Sequence, residues 1–305
     1  MAFSWRRVVL VCAGLGLAGS LAAVVAADLL PFWWWSELLQ HPRPQVAGGS
    51  LVCAVVFAVI AQGWRRWPLF LIPLIAALGM VPAMFRGAEP RAGFTVARLV
   101  TSNVLSSNPD PVSAVASLLR LDADILILLE PDHSWRPHLA PLREAYPIHR
   151  EILREDNFGI CLYARRGAIT VWQPEDVEVP GLVLAYDGVD ILAVHPPPPF
   201  SAGYHDMWWT ELNAIAGWAA NRPNVIVAGD LNATPWSSGF THLCSVGGLR
   251  GIGGLRTWNP TWMRGTLLAS PIDHVLVGSG LGISSHAVGP AMGSDHQPVR
   301  TVITR

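Results

Sequence analysis

A 305-residue chain with 51% hydrophobic and only 14% charged residues, at a mean hydropathy of +0.36, is too apolar for an ordinary soluble enzyme. All 21 basic residues are Arg, so no Lys serves as nucleophile or phosphate anchor, and four cysteines without a CxxC pair or a His/Cys cluster argue against structural zinc. Charge is also unevenly divided: residues 1–94 carry seven Arg and three acids (+4), residues 95–305 fourteen Arg and nineteen acids (−5), as expected of two regions facing different solvents.

Three apolar stretches, residues 8–30, 46–62 and 68–85, approach the roughly 20 residues a helix needs to cross a bilayer. Arg6 and Arg7 precede the first, and Trp33, Trp34 and Trp35 follow it as an interfacial belt. The competing reading of the first stretch, a cleaved signal peptide, lacks a clean small-residue cleavage site followed by polar chain. Arg6/Arg7 and Arg65/Arg66 would share one side of the membrane, which puts the rest of the chain on the other. The expectation is a protein of the bacterial inner membrane with its C-terminal part extracytoplasmic, although Arg86 and Arg91 argue the other way.

Residues 1–90 thus form a membrane region, and after the linker RGAEPRAG residues 94–305 form a second domain. Strands are expected over Phe94–Thr101, Asp124–Leu129, Ile160–Ala164, Ile169–Trp172, Val189–Val194, Asn224–Ala228, Ile272–Val277 and Pro298–Ile303. Asp110–Pro111 reads as N-cap and first turn of a helix over Val112–Leu121, and a second helix is expected over Asp206–Ala220. Trp208 and Trp209, beside Tyr204 and His205, are expected to be exposed near the site. Cys161 and Cys244 are expected as free thiols, with a disulfide between them left open outside the cytosol.

The polar residues that end these apolar runs carry the chemistry. Asn103, Glu130, His195 and Asp230 with Asn232 end runs that read as buried strands, while Asp273 opens such a run and the Asp295–His296 pair stands just before another. Such placement is awkward in a core and natural at the rim of a sheet facing a cleft. In an extended segment Asp230 and Asn232 would point the same way and meet one phosphoryl group. Glu130 and Asp295 are hard oxygen donors suited to Mg²⁺ or Mn²⁺, and His beside Asp suits proton transfer.

The segments SNVL (102–105), LLEPD (128–132), NFGICLYAR (157–165), AVHPPPP (193–199), GDLNATPWS (229–237), PIDHVLV (271–277) and GSDHQPV (293–299) resemble the deoxyribonuclease I-like endonuclease/exonuclease/phosphatase superfamily over roughly residues 94–303. The resemblance implies an α/β fold, a four-layered α/β sandwich, here preceded by transmembrane helices. It implies metal ligation by Glu130 and Asp295 with Asn103 beside them, and orientation of the attacking water by Asp230. Asn232 and His195 would contact the phosphate, and Asp273 would support His296. Asn157 could orient the phosphate or simply form a turn, and Asp156 is a candidate partner for His195. The implied activity is Mg²⁺- or Mn²⁺-dependent hydrolysis of a phosphodiester, as in a nuclease. A phospholipid or sphingolipid phosphodiesterase and a noncatalytic membrane-tethered binding domain remain as alternatives. The acidic balance of the second domain argues against a stable complex with duplex nucleic acid.

Overall fold

The computed structural model describes residues 5–30, 33–61, 64–89, 91 and 93–305; residue 62 of the second apolar stretch and residues 90 and 92 of the linker lie outside the described residues. Among the described residues, three helical stretches are long and apolar enough to cross a membrane: Trp5–Leu29, Arg43–Ile60 and Arg66–Met84. The first is helix α1 (Trp5–Leu29) and the second α3 (Arg43–Ile60). The third joins a 3-10 turn to α4 (Leu71–Leu78) and α5 (Val81–Met84). Between the first two lies a short helix, α2 (Trp34–Gln40), where only an aromatic belt was expected.

The rest of the chain builds two mixed sheets with flanking helices. In chain order the elements are β1 (Thr95–Asn103), α6 (Pro111–Arg120), β2 (Ile125–Leu129), α7 (Ala140–Ala145), β3 (Ile148–Ile152), β4 (Ile160–Ala164), β5 (Ala168–Trp172), β6 (Gly181–Tyr186) and β7 (Val189–Val194). They continue with α8 (Ala202–Ala219), β8 (Val225–Asp230), α9 (Ser238–Gly247), β9 (Asp273–Val277), β10 (Gly282–Val288) and β11 (Val299–Thr304). One sheet runs β10-β11-β1-β2-β4-β3 and the other β5-β6-β7-β8-β9.

The two-residue period of a strand divides each buried run between two cores. In β2, Ile125, Ile127 and Leu129 enter the core between the sheets, where they meet Ile191, Ile226 and Val275 of the other sheet. Leu126 and Leu128 face the opposite way and pack with Leu118 of α6 and Leu142 of α7. The second sheet repeats the arrangement, with Leu192 and Val227 packed on Leu212 and Ile215 of α8 and Leu243 of α9. Each such buried aliphatic side chain contributes about 1.5–3 kcal/mol. Truncating one to Ala, as in Ile127→Ala, costs roughly 2–5 kcal/mol.

The helix over 206–220 starts earlier than expected, at Ala202, because Ser201 accepts the Tyr204 backbone N–H as N-cap. Trp208 is buried, contrary to the expected exposure: it shares a face with Leu212 and Ile215, and its indole N–H donates to the Leu231 carbonyl at 2.9 Å. Trp209 is half-buried against His242, with ring centroids 4.9 Å apart. Cys161 and Cys244 are both free and buried.

Contacts tie α2 to the sheet domain. The first-turn amides of a helix have no partner inside it. In α9, Ser237 caps Phe240 N, whereas Ser238 N donates to Gln40 Oε1 (2.7 Å) and Gly239 N to Glu37 Oε1 (3.3 Å). Two of the three first amides of α9 are therefore satisfied from α2. Trp236 adds an indole N–H to the Gln40 carbonyl at 2.8 Å. Burial holds the Glu37 carboxyl up near about 7, against the lowering effect of its bonds to Ser237, Gly239 and Ser238.

Candidate active site at the rim of two sheets

The candidate side chains stand at the ends of buried strands or on the loops beside them. Parallel pairing of β1 and β2 sets Asn103 opposite Leu129, so Glu130 follows one residue beyond the pair. Glu130 has left the strand, with φ +66°, and Asn103 Nδ2 donates to its Oε1 at 2.7 Å. Antiparallel pairing of β8 and β9 sets Asp230 directly opposite Asp273, and β7, paired with β8, delivers His195 just past its last residue. The Cβ of any residue replacing Gly229 would lie 1.9 Å from the Val194 carbonyl oxygen, at a backbone φ of +152°. Glycine is required there for β7 and β8 to approach so closely before the turn at Asp230.

Asp295 and His296 arrive on the loop before β11. The Ser294 hydroxyl donates to the Asn103 carbonyl at 2.9 Å and accepts the His296 backbone N–H at 3.0 Å, joining this loop to the end of β1. His296 Nδ1 lies 2.8 Å from Asp273 Oδ2, and His296 Nε2 lies 3.7 Å from Asp230 Oδ2. His195 Nε2 stands 3.7 Å from Asp230 Oδ2 and 3.9 Å from Glu130 Oε1. The two imidazoles thus flank one buried carboxylate.

Asn232 reaches the same cleft by a different route from the one expected. Its φ is +49°, and its backbone N–H donates to Asp230 Oδ1 at 2.9 Å, so the two share a turn rather than an extended segment. Its Nδ2 donates to the Pro196 carbonyl, which fixes the loop after His195. Asn157 also has a left-handed backbone (φ +66°), and its Oδ1 accepts the Ser106 hydroxyl at 2.7 Å. Asp156 does not partner His195: it is held by Arg154, and His195 Nδ1 is buried with no hydrogen-bond partner among the described residues.

A cleft of about 440 Å³ contains these groups and is lined by Glu130, Asn157, His195, Asp230, Asn232, Asp295 and His296. Among the described residues, the cavities lined by Asp176 and Glu211, by His205 and Trp209, by Phe240 and His274, and by Val115 and Pro137 have none of them. Sequence reasoning missed several residues at this cleft. Trp262 donates its indole N–H to Asp295 Oδ2 at 2.8 Å, and the Thr261 hydroxyl accepts the backbone N–H groups of Ile272 and Asp273. Phe158 packs on His195, with ring centroids 5.7 Å apart. Leu38 enters from α2. Trp262 and Thr261 precede the PIDH segment by about ten residues without any strand of their own, which is why no pattern marked them.

The electrostatics are those of a site short of positive charge. Burial, with Asp273 and Glu130 nearby, pushes the Asp230 carboxyl up to about 8. Burial also raises Glu130. Burial works against the His296 imidazolium, yet Asp273 and Asp230 outweigh it and hold the group up near about 10. Burial lowers His195 to about 4, helped by the neighbouring His296. One imidazolium faces Glu130, Asp230, Asp273 and Asp295. Asp230, Asp273 and His296 offer ligand atoms that all lie within 4.8 Å of one another. Glu130, raised by burial and by the neighbouring Asp295, adds hard carboxylate oxygens beside this cluster, and that donor chemistry fits a divalent ion.

A mixed two-sheet α/β domain with an acidic, histidine-flanked cleft at the strand ends defines a class of phosphoester hydrolases. The sequence profile of the Endonuclease/Exonuclease/phosphatase family matches residues 100–296, and the chain belongs to that family. No curated protein matches the chain in sequence. Among solved structures, an endonuclease/exonuclease/phosphatase from Beutenbergia cavernae DSM 12333 is similar at 18% identity and a TM-score of 0.52, over 68% of this chain and 71% of that one. The 3′ phosphatase NExo from Neisseria, bound to a product DNA hairpin, is similar at 17% identity and 0.52, over 67% and 98%. Humanized D. rerio TDP2 is similar at 13% identity and 0.51, over 68% and 98%. At these identities the likeness is one of fold.

Proposed function

We propose that this protein is a membrane-anchored, divalent-metal-dependent phosphodiesterase that hydrolyses its substrate by direct attack of water on phosphorus. The observation that carries the reading is the convergence of His195, Asp230 and the Asp273-supported His296 on one buried point. Its four-layered architecture, helices outside two facing sheets, is supported by the three separate cores.

Glu130 and Asp295 are the residues that would hold Mg²⁺ or Mn²⁺, with Asn103 fixing the Glu130 carboxylate and Trp262 fixing Asp295. The bound ion would supply neutralisation of the charge that builds on the phosphoryl oxygens. Asp230 orients the attacking water and receives its proton. His296, positive because Asp273 accepts its Nδ1–H, donates to the phosphoryl group and stabilises charge in the transition state. His195, buried and neutral, serves the opposite face of the phosphate together with the amides of Asn232 and Asn157. Residues 94–305 carry this site, and residues 1–90 hold it at the bilayer.

We place the hydrolase domain on the extracytoplasmic side. Three crossings put residues 30–42 on the domain's side, in keeping with the bonds from α2 to α9. Arg86 and Arg91, which alone opposed this orientation, are engaged by the domain through Thr241 and the Ser279 carbonyl. The test is hydrolysis of bis-p-nitrophenyl phosphate by the full-length protein in detergent with Mg²⁺ or Mn²⁺. Activity should vanish with EDTA and in Asp230→Asn and His296→Ala. Metal-independent turnover, or full activity in both variants, would remove the proposal.

A further inference from the structure

Exposed apolar side chains lie beside the places where the domain meets the apolar helices. Gln45, in the first turn of α3, donates to the Ala269 carbonyl at 2.9 Å, so the loop from Trp262 to Ser270 reaches the start of the second span. Leu267 and Leu268 of that loop are 88% and 57% exposed. Beside the end of the third span, Ala88 N bonds to the Gly251 carbonyl, and Leu255 and Phe85 are exposed. A single exposed leucine is ordinary, but a group of them on the face from which the spans depart marks a surface that contacts something apolar.

The same elements form the entrance to the catalytic cleft. Leu38 of α2 lines it from the segment joining the first two spans, while Trp262 and Ile272 line it from the two ends of the leucine-bearing loop. Phe200 and Tyr204, stacked with centroids 4.7 Å apart, complete the rim. No arginine lines the cleft among the described residues, and residues 95–305 carry a net −5. A polynucleotide backbone requires cationic partners along its length. A single phosphate on an apolar stem does not.

We propose that the phosphodiester cleaved here belongs to a membrane lipid. Its hydrocarbon stays in the bilayer beneath Leu267 and Leu268, and its phosphate passes Leu38 and Trp262 to reach Asp230 and His296. This inference rests on the phosphodiesterase reading of the same site. The water oxygen forms a bond to phosphorus while one phosphorus–oxygen ester bond breaks. The proton lost by water goes to the Asp230 carboxylate, and a proton from the His296 imidazolium passes to the departing alkoxide, leaving an alcohol, a phosphomonoester and a neutral His296.

The experiment uses the full-length protein in detergent with Mg²⁺ or Mn²⁺ and three substrates. These are mixed micelles of phosphatidylcholine, phosphatidylethanolamine and phosphatidylglycerol; single-stranded DNA; and bis-p-nitrophenyl phosphate. Phosphorus NMR follows lipid cleavage. The expected result is lipid turnover with kcat/KM at least tenfold above that for DNA. Leu38→Asp, and separately the double change Leu267→Ser/Leu268→Ser, should each lower the ratio of lipid to small-diester hydrolysis tenfold or more. The exposed leucines support no core, so the double variant folds even where Leu38→Asp does not. Val246→Ser, on the exposed side of α9, should leave that ratio unchanged. Hydrolysis of the small diester without lipid turnover, faster cleavage of DNA, or a ratio unmoved in the double variant would overturn the lipid assignment and leave the phosphodiesterase reading standing. Silence on all three substrates would overturn both.

Discussion

Replacing His41 with Asn should make the docking of α2 on α9 weaken as pH rises, by up to about 3 kcal/mol between pH 4.5 and 7. The magnitude comes from Glu37, whose carboxyl titrates near about 7 when docked against an ordinary value of 4.5. That difference between the docked and undocked carboxyl corresponds to roughly 3 kcal/mol. The undocked carboxyl loses its proton first, so across this window the docked state holds more protons. Docking is then fully favoured below 4.5 and loses strength as pH climbs to 7.

His41 acts in the opposite sense. Burial lowers its imidazole from 6.5 to about 4, so the undocked state holds more protons between those values and docking strengthens as pH rises. The ring keeps 17% of its side-chain surface exposed, which makes its share the smaller one. In the wild type the two slopes largely cancel between pH 4.5 and 6.5. Glu37→Gln should leave only the rising slope of His41, and His41→Asn only the falling slope of Glu37. Hydrogen exchange at the Ser238 and Gly239 amides, which bond directly to Gln40 and Glu37, gives the local opening free energy of the full-length protein in detergent at each pH. Opening energies that run parallel to wild type in both variants would refute the argument.

Asp273→Asn should lower kcat by about 10²–10⁴-fold, the range for losing a positioned acid–base group, while the bound substrate still contacts His195 and Asn232. Glu130→Gln should raise the Mg²⁺ or Mn²⁺ concentration needed for half-maximal hydrolysis at least about tenfold, read from a metal titration after EDTA stripping. Gly229→Ala should destabilise the domain by at least about 2 kcal/mol in a thermal melt, because the new methyl would meet the Val194 carbonyl at a backbone angle that L residues avoid.

The strand ends were legible because two signals coincide there: a continuous apolar run and an abrupt carboxylate, amide or imidazole. Ile160–Ala164 and Val189–Val194 are strands over the expected residues, and β2 and β8 differ only at their ends. Three strands escaped notice. β3 (IHREI) and β10 (GISSHAV) lie at one sheet's edges, with half-exposed, polar-interrupted patterns. The run of β6 was hidden although its hairpin to β7 is written in the Asp187–Gly188 dipeptide, whose φ values of +50° and +74° suit a tight two-residue turn. The burial of Trp208 was legible from its spacing to Leu212 and Ile215, all three within the helix expected over 206–220.

What no local pattern could reveal is the bond between residue 40 and residue 238. WWSELLQ is too short for a periodic signal and is amphipathic enough to pass for an interfacial belt. Its partner is a helix N-terminus about two hundred residues away. Yet α9 begins directly after the GDLNATPWS segment, so the groups that α2 satisfies lie six to nine residues from Asp230. Removing residues 1–90 would leave the Ser238 and Gly239 amides and the Trp236 indole without their partners, at about 0.5–1.5 kcal/mol for each net hydrogen bond, and would strip Leu38 from the cleft wall. The internal cores contain no residue of α1–α5, so the two sheets retain their own reasons to fold. The consequence falls instead on the loop after Asp230 and on the wall of the cleft. The connection between the first two apolar helices therefore belongs to the wall of the cleft.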